Sequence, residues 1–208
     1  MKYVIMCGRG IIKGKPKQLT EIGGESIVGR TIRLLRSNGV QDIAISTNAK
    51  DFEVCGVPLI PVPDNTGRWI NGCFVPIKEP VCYVFGDVFF SPKAIEKIVN
   101  TDTNIIKFFA SAPPFAPQYH KPWAEPFAFK VVDTEFFQHC IKKVQEYAEM
   151  GYWHRDPIAW ELWQVIRGGT LNKIDYTNYD VINDYTCDID TEVDIQEFLR
   201  RWDGNENG

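Results

Sequence analysis

Short apolar runs alternate with amphipathic stretches over the first 110 residues. After its first residue, Lys2 to Cys7 is continuously apolar and stops at Gly8, the pattern of a strand covered on both faces of a parallel sheet. Asp42 to Thr47 reads as a second strand. Val57 to Val62 reads as a short third one, broken by prolines. Val81 to Phe85 is a buried strand running into Gly86-Asp87, and Asn104 to Ala110 is another. Between them, Ile27, Thr31, Leu34 and Leu35 share one side of a helix over Ser26 to Ser37, which Asn38-Gly39 ends with a left-handed cap. Ser91-Pro92 starts a second helix, with serine as N-cap and proline at the first helical position. Further on, Phe127 to Val132 reads as a strand. Thr134 to Glu149, with Thr134 as N-cap, Pro157 to Ile166 and Asp190 to Trp202 read as helices. Ser111 to Pro126 carries five prolines around Phe115, Tyr119 and Trp123 and reads as a loop or lid. The alternation predicts an α/β fold: a mixed, mostly parallel sheet with helices on both faces. In such sheets ligands bind outside the carboxyl ends of the strands, where Gly8-Arg9-Gly10 and Gly86-Asp87 stand.

Composition narrows the function. At 44% apolar and 24% charged residues, the 208-residue chain is not a disordered segment, a coiled coil or a fibre. Twenty-three basic residues against 27 acidic ones give a net charge of −4, which excludes a general nucleic-acid binder. No apolar run has the length of a membrane span or a signal-peptide core, so a cytoplasmic protein without membrane partners is expected. The cysteines at 7, 55, 73, 82, 140 and 187 form no C-x-x-C pair, so zinc-ribbon and thioredoxin readings fail, and reduced, mostly buried thiols are expected. The charge is segregated. The first 20 residues hold Lys2, Arg9, Lys13, Lys15 and Lys17 and no acid, whereas Asp188, Asp190, Glu192 and Asp194 cluster late.

Gly8 to Lys17 follows a strand and contains three glycines and four cations. Glycines let backbone N–H groups turn toward an anion and the cations add charge, so the segment suits a triphosphate; a solvated basic turn is the alternative. A Rossmann fingerprint would need glycine or alanine where Lys13 stands. A Walker A loop would need glycine at Arg9 and Ser or Thr at Pro16. Asp87 is an isolated acid between apolar residues at a strand end, costly to bury unless it is paired or metal-bound.

Gly8-Arg9-Gly10, Pro16-Lys17-Gln18-Leu19, the turn Glu21 to Ile27 and the Arg30 to Gly39 helix together resemble the opening of the sugar-phosphate nucleotidyltransferase family. Two features depart from its pattern: Ile12 stands where the family has an arginine, and the loop before Pro16 is short. The resemblance implies a Rossmann-like, glycosyltransferase-A-type fold in one domain over 1–204, followed by a short tail. Residues 1–110 would be the nucleotide half. Residues 111–204 would be the acceptor half with the C-terminal metal strand. It implies Mg²⁺ on Asp87 and Asp190, with Asp188 as a further candidate ligand and Asp194 capping the last helix. Cys7, Gly8, Arg9, Gly10, Lys13 and Lys17 would contact the nucleotide. Asn65 to Phe74 resembles the base-framing loop of the cytidylyltransferase branch, which adds Asn71 and Gly72 and favours CTP. Trp123, Glu125 and Arg155 would meet the acceptor. Trp160 and Trp163 could pack in the core or hold a cationic head group by cation–π contact. The expected partners are a nucleoside triphosphate and a phosphorylated small molecule (a sugar phosphate, phosphocholine or a polyol phosphate), with Lys17, Asp87 and Asp190 catalytic and pyrophosphate released. A non-catalytic nucleotide- or sugar-phosphate-binding relative remains an alternative. A glycosyltransferase of related fold is a weaker one, because Asp87 lacks the D-x-D pattern.

Overall fold

The computed structural model describes residues 1–8, 10–63, 69–112, 124–202 and 204. Its central sheet has seven strands: β1 (Lys2–Met6), β2 (Ile43–Ser46), β3 (Leu59–Ile60), β4 (Val81–Phe85), β5 (Ile106–Ser111), β6 (Pro126–Val131) and β7 (Asp180–Ile182). Their spatial order is β7-β5-β6-β4-β1-β2-β3. Only β6 runs against its neighbours; the other pairings are parallel. The mixed, mostly parallel sheet is as the alternation predicts.

The helices are α1 (Ile27–Ser37), α2 (Trp69–Cys73), α3 (Pro92–Asn100), α4 (Thr134–Glu149), α5 (Ala159–Ile166) and α6 (Glu192–Leu199). Helices cover both faces of the sheet. Tyr83, Phe129 and Phe108 stand side by side across β4, β6 and β5. Phe137 of α4 stacks on Tyr83 at 5.6 Å, and Trp160 of α5 meets Phe108 edge-on at 4.8 Å. Lys130 follows Phe129 and therefore points through the opposite face. There its ammonium donates to the carbonyls of Ile98, Val99 and Thr101, where a cation is favoured at the carboxyl end of α3. Helix α1 packs beside α3.

Local chemistry follows the sequence at most ends. Ser26 and Ser91 cap α1 and α3 by accepting from the N–H groups of Gly29 and Ala94. Three helices differ from expectation, α5 by starting at Ala159 rather than Pro157. The N-cap of α4 is Asp133, which accepts from Phe136 N–H at 2.9 Å, while Thr134 turns its hydroxyl to Lys78 O. Helix α6 is shorter than the apolar pattern suggests, beginning after a capping box made by Thr191 and Asp194. Strand β7 was not anticipated; three residues on a sheet edge carry too little periodicity to be read. Trp160 and Trp163 are buried, and their indole N–H groups donate to Ala124 O and Thr177 O, so both belong to the core. All six cysteines are free thiols, buried or half-buried. Among the described residues, no helix is long and apolar enough to cross a membrane.

Gly86 lets the ends of β4 and β1 approach. Its N–H donates to Met6 O at 3.0 Å, and a Cβ there would lie 2.7 Å from that oxygen and 2.8 Å from Cys7 Sγ. Backbone cannot yield as a flexible side chain can. Gly86→Ala is expected to cost about 1–3 kcal/mol, as overpacking does. The corresponding drop in melting temperature is roughly 3–10 °C, read by thermal denaturation.

Candidate active site

The segment after β1 folds into a tight hairpin. Ile11–Ile12 pairs antiparallel with Lys15–Pro16, and Lys13 and Gly14 form the turn with φ of 50° and 77°, the left-handed pair that a two-residue hairpin requires. Lys13 stands at the exposed tip, 3.3 Å from Glu192, and does not line the cavity described below. Ile12 is buried. Lys17 N–H donates to Gly10 O at 2.8 Å, bringing the Lys17 stem beneath Gly10. A Cβ on Gly10 would lie 2.5–2.9 Å from Lys17 Cδ, Cε and Cγ, so glycine is what opens this path.

The carboxylates arrive from two distant segments. Val88–Phe89, just after Asp87, pairs antiparallel with Cys187–Asp188, and Ile189 N–H donates to Asp87 O at 2.9 Å. This small sheet sets oxygens of Asp87, Asp188 and Asp190 within 4.8 Å of one another. A second apolar core lies under it. Ile12 of the hairpin, Ile22, Ile27, Phe89, Cys187, Ile189 and Phe198 pack together, with Trp202 against them.

Arg30, buried on α1, fastens both segments. Its Nε donates to Phe90 O at 2.8 Å, a terminal nitrogen donates to the Tyr185 hydroxyl at 3.2 Å, and the guanidinium lies 4.4 Å over the Phe89 ring. Ser91 adds hydrogen bonds to Asp184 and Thr186. Arg30 was missed in the sequence, although a cation three residues after Ile27 on the apolar side of α1 was a visible signal. Arg30→Met leaves buried acceptors unpaired and is expected to cost about 2–4 kcal/mol. Chemical denaturation would measure it.

Lys17 enters the acidic cluster. Its ammonium lies 2.6 Å from Asp87 Oδ2 and donates to Asp190 Oδ1. Burial pulls the Lys17 ammonium down, but Asp87, Asp188 and Asp190 outweigh it and hold its pKa above the usual lysine range. Burial pushes the Asp188 carboxyl well above its usual range, and the neighbouring Asp87, Asp190 and Glu125 charges push the same way against Lys17. Crowded carboxylates of this kind call for a cation. An all-oxygen donor set fits a hard divalent ion such as Mg²⁺.

These groups open into a cavity of about 790 Å³ at the carboxyl ends of β1 to β4. Cys7, Gly8, Gly10 and Lys17 line its middle with Asp87, Asp188 and Asp190. On the β2–β3 side stand Thr47, Asn48, Ala49, Val62 and Pro63, together with Gly72 and Cys73. Asn48 pins that wall, exchanging two 2.9 Å hydrogen bonds with the backbone of Val62. On the β6 side are Glu125, which is buried, Pro126, Asp156 and Ile158. The wall after β2 and β3 was not singled out in the sequence, though the carboxyl-end rule pointed to those loops. Arg155 does not line the cavity. Its guanidinium lies 2.6 Å from Glu161, whose carboxylate also accepts from Ile158 N–H and is almost wholly buried. Arg9, Trp123 and residues 65–68 of the base-framing loop lie outside the described residues, and Asn71 is described in its backbone only.

No protein-family model matches the chain, and no curated protein matches it in sequence. Its architecture is shared with solved nucleotidyltransferases, and the chain has their fold. The inositol-1-phosphate CTP transferase from T. maritima superposes with a TM-score of 0.56 at 16% identity, over 96% of this chain and 95% of that one. The 4-diphosphocytidyl-2C-methyl-D-erythritol synthase from Anaerococcus prevotii gives 0.61 at 13% identity, over 96% of both chains. A Bacillus anthracis protein described as a glucose-1-phosphate thymidylyltransferase gives 0.55 at 14%, over 96% and 94%.

Proposed function

We propose that the chain is a Mg²⁺-dependent nucleotidyltransferase, joining a nucleoside triphosphate to a phosphorylated small molecule and releasing pyrophosphate. The observation that carries this reading is the convergence of Asp87, Asp188, Asp190 and Lys17 in one cavity at the strand ends. Residues 1–110 hold the nucleotide; residues 111–204 hold the acceptor and contribute the two late carboxylates. The three aspartates hold the metal, which when bound neutralises charge on the triphosphate.

In the reaction, an acceptor phosphate oxygen forms a bond to the α-phosphorus. The bond from that phosphorus to the oxygen bridging to the β-phosphorus breaks, and its electron pair leaves with pyrophosphate. The acceptor phosphate is already ionised near neutral pH, so no general base is needed. Cys7, Gly8, Arg9 and Gly10 bind the triphosphate, and Lys13 adds charge from the hairpin tip. Lys17 offsets negative charge gathering at the α-phosphate. Catalysis is then positioning and electrostatics. Glu125, Trp123 and Arg155 serve the acceptor, Glu125 from the cavity wall and Arg155 from beside it. CTP is the favoured nucleotide. Asn71-Gly72 resembles the cytidylyltransferase pattern, Gly72 lines the cavity, and one protein of the same fold is a CTP transferase. The acceptor is a sugar phosphate, phosphocholine or a polyol phosphate, used in the cytoplasm.

A thermal-shift matrix of the four nucleoside triphosphates with and without Mg²⁺ tests the nucleotide. The largest shift is expected with CTP and metal together. Pyrophosphate release is then assayed against the three acceptor classes. Release of nucleoside diphosphate from the triphosphate instead would mean that the γ-phosphoryl group moves, and would overturn the reading.

A further inference from the structure

The ammonium of Lys17 stands where a divalent cation would have to bind. It contacts Asp87 Oδ2 at 2.6 Å and donates to Asp190 Oδ1, so two of its three donors are spent on two of the three carboxylates of the cluster. A Mg²⁺ ion on the same Asp87 oxygen, at a bond length of about 2.1 Å, would lie within about 5 Å of the ammonium and compete for the same lone pairs. The lysine cannot drift away to make room. Its backbone N–H is fixed to Gly10 O, its stem runs under Gly10, and its side chain is only 11% exposed. With the stem held against Gly10, the head stays at the cavity that Gly8 and Gly10 line, within reach of an anion that enters there. Among the described residues lining the cavity, Lys17 is the only cation.

From this we infer that Lys17 determines the form in which the site accepts metal: it excludes bare divalent cations and admits them only together with a nucleotide. The inference rests on the nucleotidyltransferase reading above and adds to it a second role for the lysine. A triphosphate supplies the ammonium with a new anionic partner. The Asp87 and Asp190 oxygens are then released and would hold the metal. Lys17 is thus a tethered counter-ion in the free protein and a phosphate ligand in the complex. Lysine suits both roles, being a compact charge on a flexible stem with donors that rotate freely.

Mn²⁺ is the probe, followed by electron paramagnetic resonance titration of the full chain, with and without a non-hydrolysable α,β-methylene analogue of CTP. Wild type should bind Mn²⁺ weakly alone and at least tenfold more tightly with the analogue. Lys17→Met keeps the length of the stem without the charge, and should bind Mn²⁺ alone at least tenfold more tightly than wild type. Adding Asp87→Asn to that variant should abolish the gain, tying it to this cluster. Lys17→Gln repeats the test with a polar, uncharged head, in case the methionine variant folds poorly. If neither variant binds Mn²⁺ more tightly than wild type, while wild type with the analogue does bind it, the counter-ion role is wrong and the transferase reading stands. If no form binds Mn²⁺ under any condition, both fall.

Discussion

Asp87→Asn is expected to slow pyrophosphate release by at least about 10²–10³-fold at saturating Mg²⁺ and nucleotide, equivalent to about 3–4 kcal/mol of barrier. Asparagine keeps the shape of the side chain and removes its charge. The small sheet beyond it stays paired through Val88 and Phe89, and Ile189 still has the backbone carbonyl of residue 87 to bond. Circular dichroism should therefore match wild type, which separates lost chemistry from lost folding. Asp87 is the one member of the acidic cluster placed by the central sheet itself, at the end of β4. Asp188 and Asp190 are brought to it from a distant stretch of the chain. A variant within threefold of wild-type turnover would remove Asp87 from the proposed metal site.

Lys17→Met is the second large effect. Loss of the ammonium is expected to lower kcat by about 10²-fold or more, with a smaller change in the KM for nucleotide, because in the proposed mechanism its charge is needed most where negative charge gathers at the α-phosphate. The variant should also be folded. The methionine stem fits under Gly10, and the two ion pairs it forfeits are with carboxylates that a metal could satisfy. A variant that lost nucleotide affinity and kept kcat would assign Lys17 to ground-state binding alone.

Much of the fold was legible because the chain is consistent with itself. Apolar runs covered on both faces became β1, β2 and β4, and the serine caps stand where the sequence put them. At the candidate site, Lys17 and Asp87, both singled out in the sequence, meet in one cavity. What could not be read was pairing at a distance. Nothing local says that Cys187–Asp188 will lie against Val88–Phe89, or that Arg30 will reach Phe90 and Tyr185. The hairpin shows a subtler limit. Three glycines and four cations suggested an open cradle, whereas Ile12 turns into the second core and Lys13 closes a tight turn toward Glu192. Charge and glycine content describe what a loop can do; the side chains it buries decide what it does.

The late acidic stretch divides in the same way. Asp188 and Asp190 join the cluster, while Asp194 accepts hydrogen bonds from Asp190 N–H, Thr191 N–H and the Thr191 hydroxyl at the start of α6. Spacing alone put all four acids in one segment. The capping box is what commits Asp194 to the helix and leaves the earlier two for the cavity.

The most direct measurement follows the phosphates. The protein is incubated with Mg²⁺, a phosphorylated acceptor and CTP labelled at either the α- or the γ-phosphorus. The α-label should appear in the acceptor product and the γ-label in pyrophosphate, in equal amounts. An α-label released as nucleoside diphosphate, or a γ-label carried onto the acceptor, would contradict nucleotidyl transfer at this site.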